Sequence, residues 1–325
     1  MAINVTEDFR QSFVVMRNEI KKFFSGKRML IYLALLGIIL FVITFVPYIL
    51  GSSLPEDAAM LATTYISMSS LIVLMGSTLF ASISIVSEYE ERTALIVFTR
   101  PISKFSIFFG KFLACIVTSI GFIAFYYVFG MIVSLVIAGS VDVAFVQSFL
   151  LACAYALGTT GIAMAISSVM KKASTSTILT FVALLIIIPA LTMVFGIAGF
   201  ETTWMIDQAS ASILSCSEGY RDMTNEMLDQ FAMAMMSPDT FINIQALVDA
   251  MNANTIGLTI NPELTYEMMK GFLSQEGVLS SAAFGQMMSE IYVEAPDVNY
   301  DAAVMCIWGV IGLIASFLFF RKREF

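Results

Sequence analysis

The sequence predicts an all-α polytopic membrane protein, and three observations lead there. Of its 325 residues, 58% are hydrophobic and only 13% are charged, where a soluble chain has about a quarter charged. Six apolar stretches reach the length of about 20 residues that a helix needs to cross a bilayer; they cover 29–50, 59–86, 105–138, 145–169, 176–200 and 302–320. Fifteen of the 17 lysines and arginines fall on what would be one side of the membrane, counting Lys111 near the start of the third stretch.

Composition also excludes chemistry. The chain has no histidine, which removes imidazole metal sites, Ser-His and Cys-His pairs and histidine proton relays. Its four cysteines, Cys115, Cys153, Cys216 and Cys306, are dispersed and predict no disulfide framework. The net charge is −8, and no basic stretch interleaves with aromatics, so nucleic acid is not an expected partner.

The first element, residues 1–28, is predicted as a cytoplasmic amphipathic helix. Phe9, Phe13, Met16, Ile20 and Phe23 recur at helical steps, with Arg10, Arg17, Glu19 and Lys21 mostly off that stripe. Lys21, Lys22, Lys27 and Arg28 at its end predict that it rests on lipid headgroups. Transmembrane helices one to five occupy 29–200. Their interiors hold no Asp, Glu, Lys or Arg except Lys111.

The second stretch carries Ser67, Ser70, Ser77 and Ser84 at heptad-like steps. Such a face lines a pathway or a subunit interface, or it packs closely inside one bundle. Ala154, Gly158, Gly161 and Ala165 repeat the theme in the fourth stretch, where packing is the better reading. Pro189 predicts a kink in the fifth.

Between the second and third stretches, residues 88–100 read as a short horizontal helix. Glu88, Glu90 and Glu91 favour its positive end, residues 95–98 form an apolar body, and Arg100-Pro101 stops it. Ser103 restarts the chain, and Lys104 and Lys111 are predicted to anchor the next span at the interface. The paired Glu90-Glu91 also fits an intramembrane protease, but those enzymes need histidines as well.

Residues 201–301 form an acidic segment of soluble character, read as a mostly helical extracytoplasmic domain with Ser217 capping one helix through Met236. Helices starting at Pro238 and Pro262 and covering 280–291 are expected too. Its many methionines could bind Cu(I), but soft apolar packing explains them as well. The last span, 302–320, ends in the basic tail Arg321-Lys322-Arg323. The distribution of basic residues places both termini in the cytoplasm.

No G-x-x-x-x-G-K-[ST] motif occurs, since Gly110-Lys111 runs straight into Phe112. The spans also lack the carboxylates that ion-driven carriers use. The protein is therefore passive or powered by a partner.

Residues 88–111 resemble the permease subunit of an ABC type-2 transporter. That family shows an acidic residue, Gly-Thr, an apolar run, Pro, Ser with a basic residue, and then Gly-Lys. Here these read Glu88, Thr93, residues 95–98, Pro101, Ser103-Lys104 and Gly110-Lys111, with Arg92 where the glycine usually stands. The resemblance implies an ATP-driven transporter of the cell membrane, an exporter, whose chain is not itself an enzyme and holds no cofactor. ATP and Mg would be bound by a separate ABC ATPase subunit, and the permease would pair with a second copy or a paralogue. The coupling contacts would come from Glu88, Glu91, Arg92, Thr93, Arg100 and Pro101. Rival readings are a membrane-anchored binding or sensory protein with an outer ligand domain, and a passive channel.

Overall fold

The computed structural model describes residues 5–51, 53–90, 103–236, 293 and 295–322. Every secondary-structure element among them is helical, and six helical stretches are long and apolar enough to cross a membrane. The protein is an all-α polytopic membrane protein.

Helix α1 (Val5–Ser25) is separated by Gly26 from α2 (Lys27–Ile49), the first span. In α2 only Met29, Tyr32, Leu36 and Leu40 are buried. Their three- and four-residue spacing makes one stripe against the protein. Leu30, Ile31, Leu33, Ile38 and Phe41 point outward, as an apolar solvent allows.

The second span, Ala58–Glu90, is the centre of the bundle. Its most apolar window is 78% buried, against 22% for the first span and 17% for the fifth. It is segmented into α3 (Ala58–Ile66), α4 (Ser69–Phe80), a 3-10 turn (Ala81–Ile83) and α5 (Val86–Glu90). Asp57 caps its start by accepting from the Met60 amide at 3.1 Å. The break at Ser67-Met68 shifts the helical register, so the four serines do not share a face. Ser67 is exposed and Ser70 half-buried, while Ser77 and Ser84 are buried.

The third span, α6 (Lys104–Ile137), is one unbroken helix of 34 residues. At 1.5 Å per residue it is about 51 Å long, well beyond a hydrocarbon core of about 30 Å. Ser103 is its N-cap and accepts from the Ser106 amide at 3.0 Å. The fourth span, α7 (Ala144–Val169), packs along the sixth, α12 (Val298–Lys322). A Cβ at Gly161 would sit 2.5 Å from the Gly309 carbonyl oxygen, and one at Gly312 would sit 2.5 Å from the Gly161 carbonyl carbon. The two backbones touch because neither helix has a side chain there.

In the fifth span, α8 (Ala173–Val182) and α9 (Ile188–Ile197) are joined by a π-helical turn, Ala183–Ile187. Pro189 lacks an amide and its ring would crowd the carbonyl one turn back. Widening the preceding turn accommodates it, so the predicted irregularity takes the form of a π-bulge.

Two compact units result: Met1–Tyr220 with Pro296–Phe325, and Arg221–Ala295. Composition draws the boundary of the outer segment at Glu201, but the first twenty residues belong to the membrane unit. There α10 (Ile206–Ser215) buries Ile206, Ala209 and Ile213, and Ile206 covers Gly158. Helix α11 (Glu218–Met236) begins directly after Ser217, where its cap is expected. In the second unit, the Asn225 side chain accepts from the Val293 amide and donates to its carbonyl. The helices expected at Pro238, at Pro262 and over 280–291 lie outside the described residues.

Candidate functional site

Where the second span ends, at α5, four other elements converge. The Lys111 ammonium of α6 lies 2.8 Å from the Glu19 carboxylate of α1 and 2.7 Å from the Glu88 carboxylate of α5. Lys111 is 1% exposed, and Glu88 is buried beside it. A cation buried this deeply is tolerable only with partners at contact distance, and here it has two. The cluster ties the N-terminal helix to both ends of the connection between the second and third spans.

Two further contacts hold α5. The Ser167 hydroxyl of α7 accepts from the Ile85 and Val86 amides at 3.3 and 3.1 Å. The Glu90 carboxylate accepts from the Ala173 amide at 2.7 Å, placing an anion on the N-terminus of α8. Just above, the Ser176 hydroxyl donates to the Ser82 carbonyl. The chain therefore enters residues 91–102 from a segment braced by α1, α6, α7 and α8.

Helix α1 is docked more firmly than a headgroup-lying helix would be. Ser106 donates to the Asp8 carbonyl and carboxylate, each at 3.0 Å, and Phe9 meets Phe109 edge-on at 5.6 Å. A Cβ on Gly110 would lie 2.6 Å from the Ser12 carbonyl oxygen, so the glycine is what lets the two helices touch. The pairings advance together, and α1 runs in the same direction as the start of α6. Ser12, Met16, Glu19, Ile20 and Phe23 face inward, while Phe9, Phe13, Val14 and Phe24 stay exposed. The stripe read from the sequence is thus divided between two faces, and Glu19 lies on the inner one.

The residues singled out by sequence are placed as follows. Lys111, expected at the lipid interface, is inside the protein instead, because its partners are Glu19 and Glu88 rather than headgroups. Glu88, expected on a contact surface, is turned inward by the same ion pair. Lys104 is exposed in the first turn of α6. Glu91, Arg92, Thr93, Arg100 and Pro101 lie outside the described residues. Ser77 bonds to Thr159 of α7 at 2.6 Å and Ser84 to the Ala81 carbonyl at 2.9 Å, so both pack within the bundle. Glu19 and Ser167 were not read as site residues. The signal for Glu19 was Lys111 itself, since an ionisable group inside a span calls for a partner.

A family model described as ABC-2 family transporter protein matches residues 15–188, over half of the chain. The chain belongs to that family. No curated protein matches it. The match contains the whole ion cluster, α5, residues 91–102 and Ser167, and it stops at Ile188. As an ABC-2 transporter, this multi-pass membrane protein is the permease component of an ABC transporter, of a kind that associates with an ABC ATPase.

Proposed function

We propose that this permease is the membrane half of an ATP-driven exporter of the cell membrane, paired with a second copy or a paralogue and driven by separately encoded ATPase subunits. ATP and Mg are then bound by those subunits and no cofactor by this chain. Residues 91–102, with Glu91, Arg92, Thr93, Arg100 and Pro101, receive the movement of the ATPase.

One observation carries the reading: the segment feeding residues 91–102 is fastened to α1, α6, α7 and α8 through Glu88, Ser167 and Glu90. A displacement applied there cannot be absorbed locally, because Lys111 and both its carboxylate partners must move together or separate inside the protein. The spans would respond as levers on a shared knot. Both termini and the connection 91–102 lie in the cytoplasm on this reading, in accord with the bias of basic residues.

Affinity purification from native membranes tests it. An ABC ATPase is expected to come down with the chain, and in reconstituted vesicles Arg92→Ala is expected to lower transport per ATP hydrolysed without loss of the complex. Recovery of the chain without any ATPase would overturn the assignment.

A further inference from the structure

A cavity of about 260 Å³ opens where α1 turns into α2, lined by Glu19, Lys22, Phe23, Lys27, Arg28, Phe80, Ser84 and Ser87 among others. We infer that it binds the phosphate-bearing headgroup of an anionic phospholipid. Three cations, Lys22, Lys27 and Arg28, share its mouth, and among the described residues none of the three forms an ion pair. The one carboxylate in the lining, Glu19, is already bound to Lys111. Part of its lining is apolar, with Phe23 against Phe80 at a ring separation of 5.2 Å. Ser84 and Ser87 complete the wall, both buried, with the Ser84 hydroxyl donating to the Ala81 carbonyl.

Position selects the ligand class. Lys27 is the first residue of the first span, so the mouth opens at the level where hydrocarbon meets water. Phe24, Leu30 and Ile31 beside it are exposed and offer acyl chains an apolar track. Gly26, the N-cap of α2, also lines the cavity and carries no side chain to fill it. Pockets that hold a whole drug-sized ligand run to about 300–1,000 Å³, so this one suits a headgroup, with the tails outside in the bilayer. The inference needs only that α2 crosses the membrane, and it stands apart from the assignment as an exporter.

The test uses the full chain in detergent, stripped of lipid. Added phosphatidylglycerol is expected to raise its melting temperature saturably, while phosphatidylcholine and inorganic phosphate do not. Lys22→Gln, Lys27→Gln and Arg28→Gln are each expected to weaken that protection about fivefold, the equivalent of about 1 kcal/mol per basic residue facing an anionic surface. All three side chains are exposed, so the variants keep the fold, and the melting temperature without lipid verifies it. Lys171→Gln with Lys172→Gln, at the connection of α7 and α8, is expected to leave the protection intact. Protection by inorganic phosphate equal to that by phosphatidylglycerol would assign the cavity to a soluble phosphate compound and overturn the lipid. Equal losses in the Lys171/Lys172 variant would reduce the effect to general charge and overturn the site.

Discussion

The Lys111 ammonium sits between two carboxylates at 2.8 and 2.7 Å, almost out of reach of solvent. A lone lysine near the end of a span suggests a stem reaching for headgroups, and sequence offers no distance to contradict that. The structure supplies Glu19, 92 positions away, and the lysine becomes the hub of a buried cluster. Lys111→Met is expected to destabilise the protein by about 3–5 kcal/mol, because it leaves two carboxylates facing each other with no cation. Adding Glu19→Leu and Glu88→Leu should recover most of the loss, since removing a whole buried ionic group is often neutral. Thermal unfolding in detergent reads both; an unrecovered triple variant would mean that packing, not charge, dominates. Asp207 in α10 gives a second test. Half-burial raises its carboxyl above the ordinary 3.8 by withdrawing solvent from the charged form. Between that value and the raised one, the folded state holds a proton that the unfolded state has released, so stability falls as pH rises through the window. Asp207→Asn should therefore be the more stable protein at neutral pH and converge with the parent in acid. A gap of constant size from acid to neutral pH would rule this titration out.

Among the helices, what the sequence revealed was whatever depends on period and length. All six spans were legible because apolar runs of this length have one solution in lipid, and the glycines of α7 were legible as a packing face. Their partner was not, since α12 lies some 150 residues away and only contact with Gly309 and Gly312 explains the spacing. Gly161→Val is expected to cost about 1–3 kcal/mol by overpacking, because the new atoms meet the backbone of α12 rather than a movable side chain. A detergent melt measures it, and a variant as stable as the parent would mean the two helices can part freely. The second span resisted reading for a different reason. Its four serines fit one heptad face only if the helix is continuous, and the break at Ser67-Met68 sends them to different surroundings. The π-bulge before Pro189 follows from proline geometry once a kink is granted, but sequence does not choose between a bend and a widened turn.

For the molecule as a whole, topology is the property from which the coupling scheme follows, and it can be checked with two exposed side chains on each side. The proposed orientation, with both termini cytoplasmic, predicts 139–143 and Met227 on the outer side and 170–172 on the inner side. The acidic character of the outer segment and the basic residues of the inner connections agree with that arrangement. Val141 and Met227 are exposed on the predicted outer side, and Lys171 and Lys172 are exposed on the predicted inner side. Of the native thiols, Cys115 and Cys216 are buried, and Cys153 and Cys306 are half-buried, so the latter two are best replaced by alanine first. A membrane-impermeant maleimide on intact cells is then expected to label Val141→Cys and Met227→Cys, and to reach Lys171→Cys and Lys172→Cys only after permeabilisation. The opposite pattern would put residues 91–102 outside, where no ATPase can touch them, and the braced segment at α5 would lose its motor. Labelling of Val141→Cys and Lys171→Cys from the same side would mean that α7 does not cross, and the bundle would need a different membrane plane altogether.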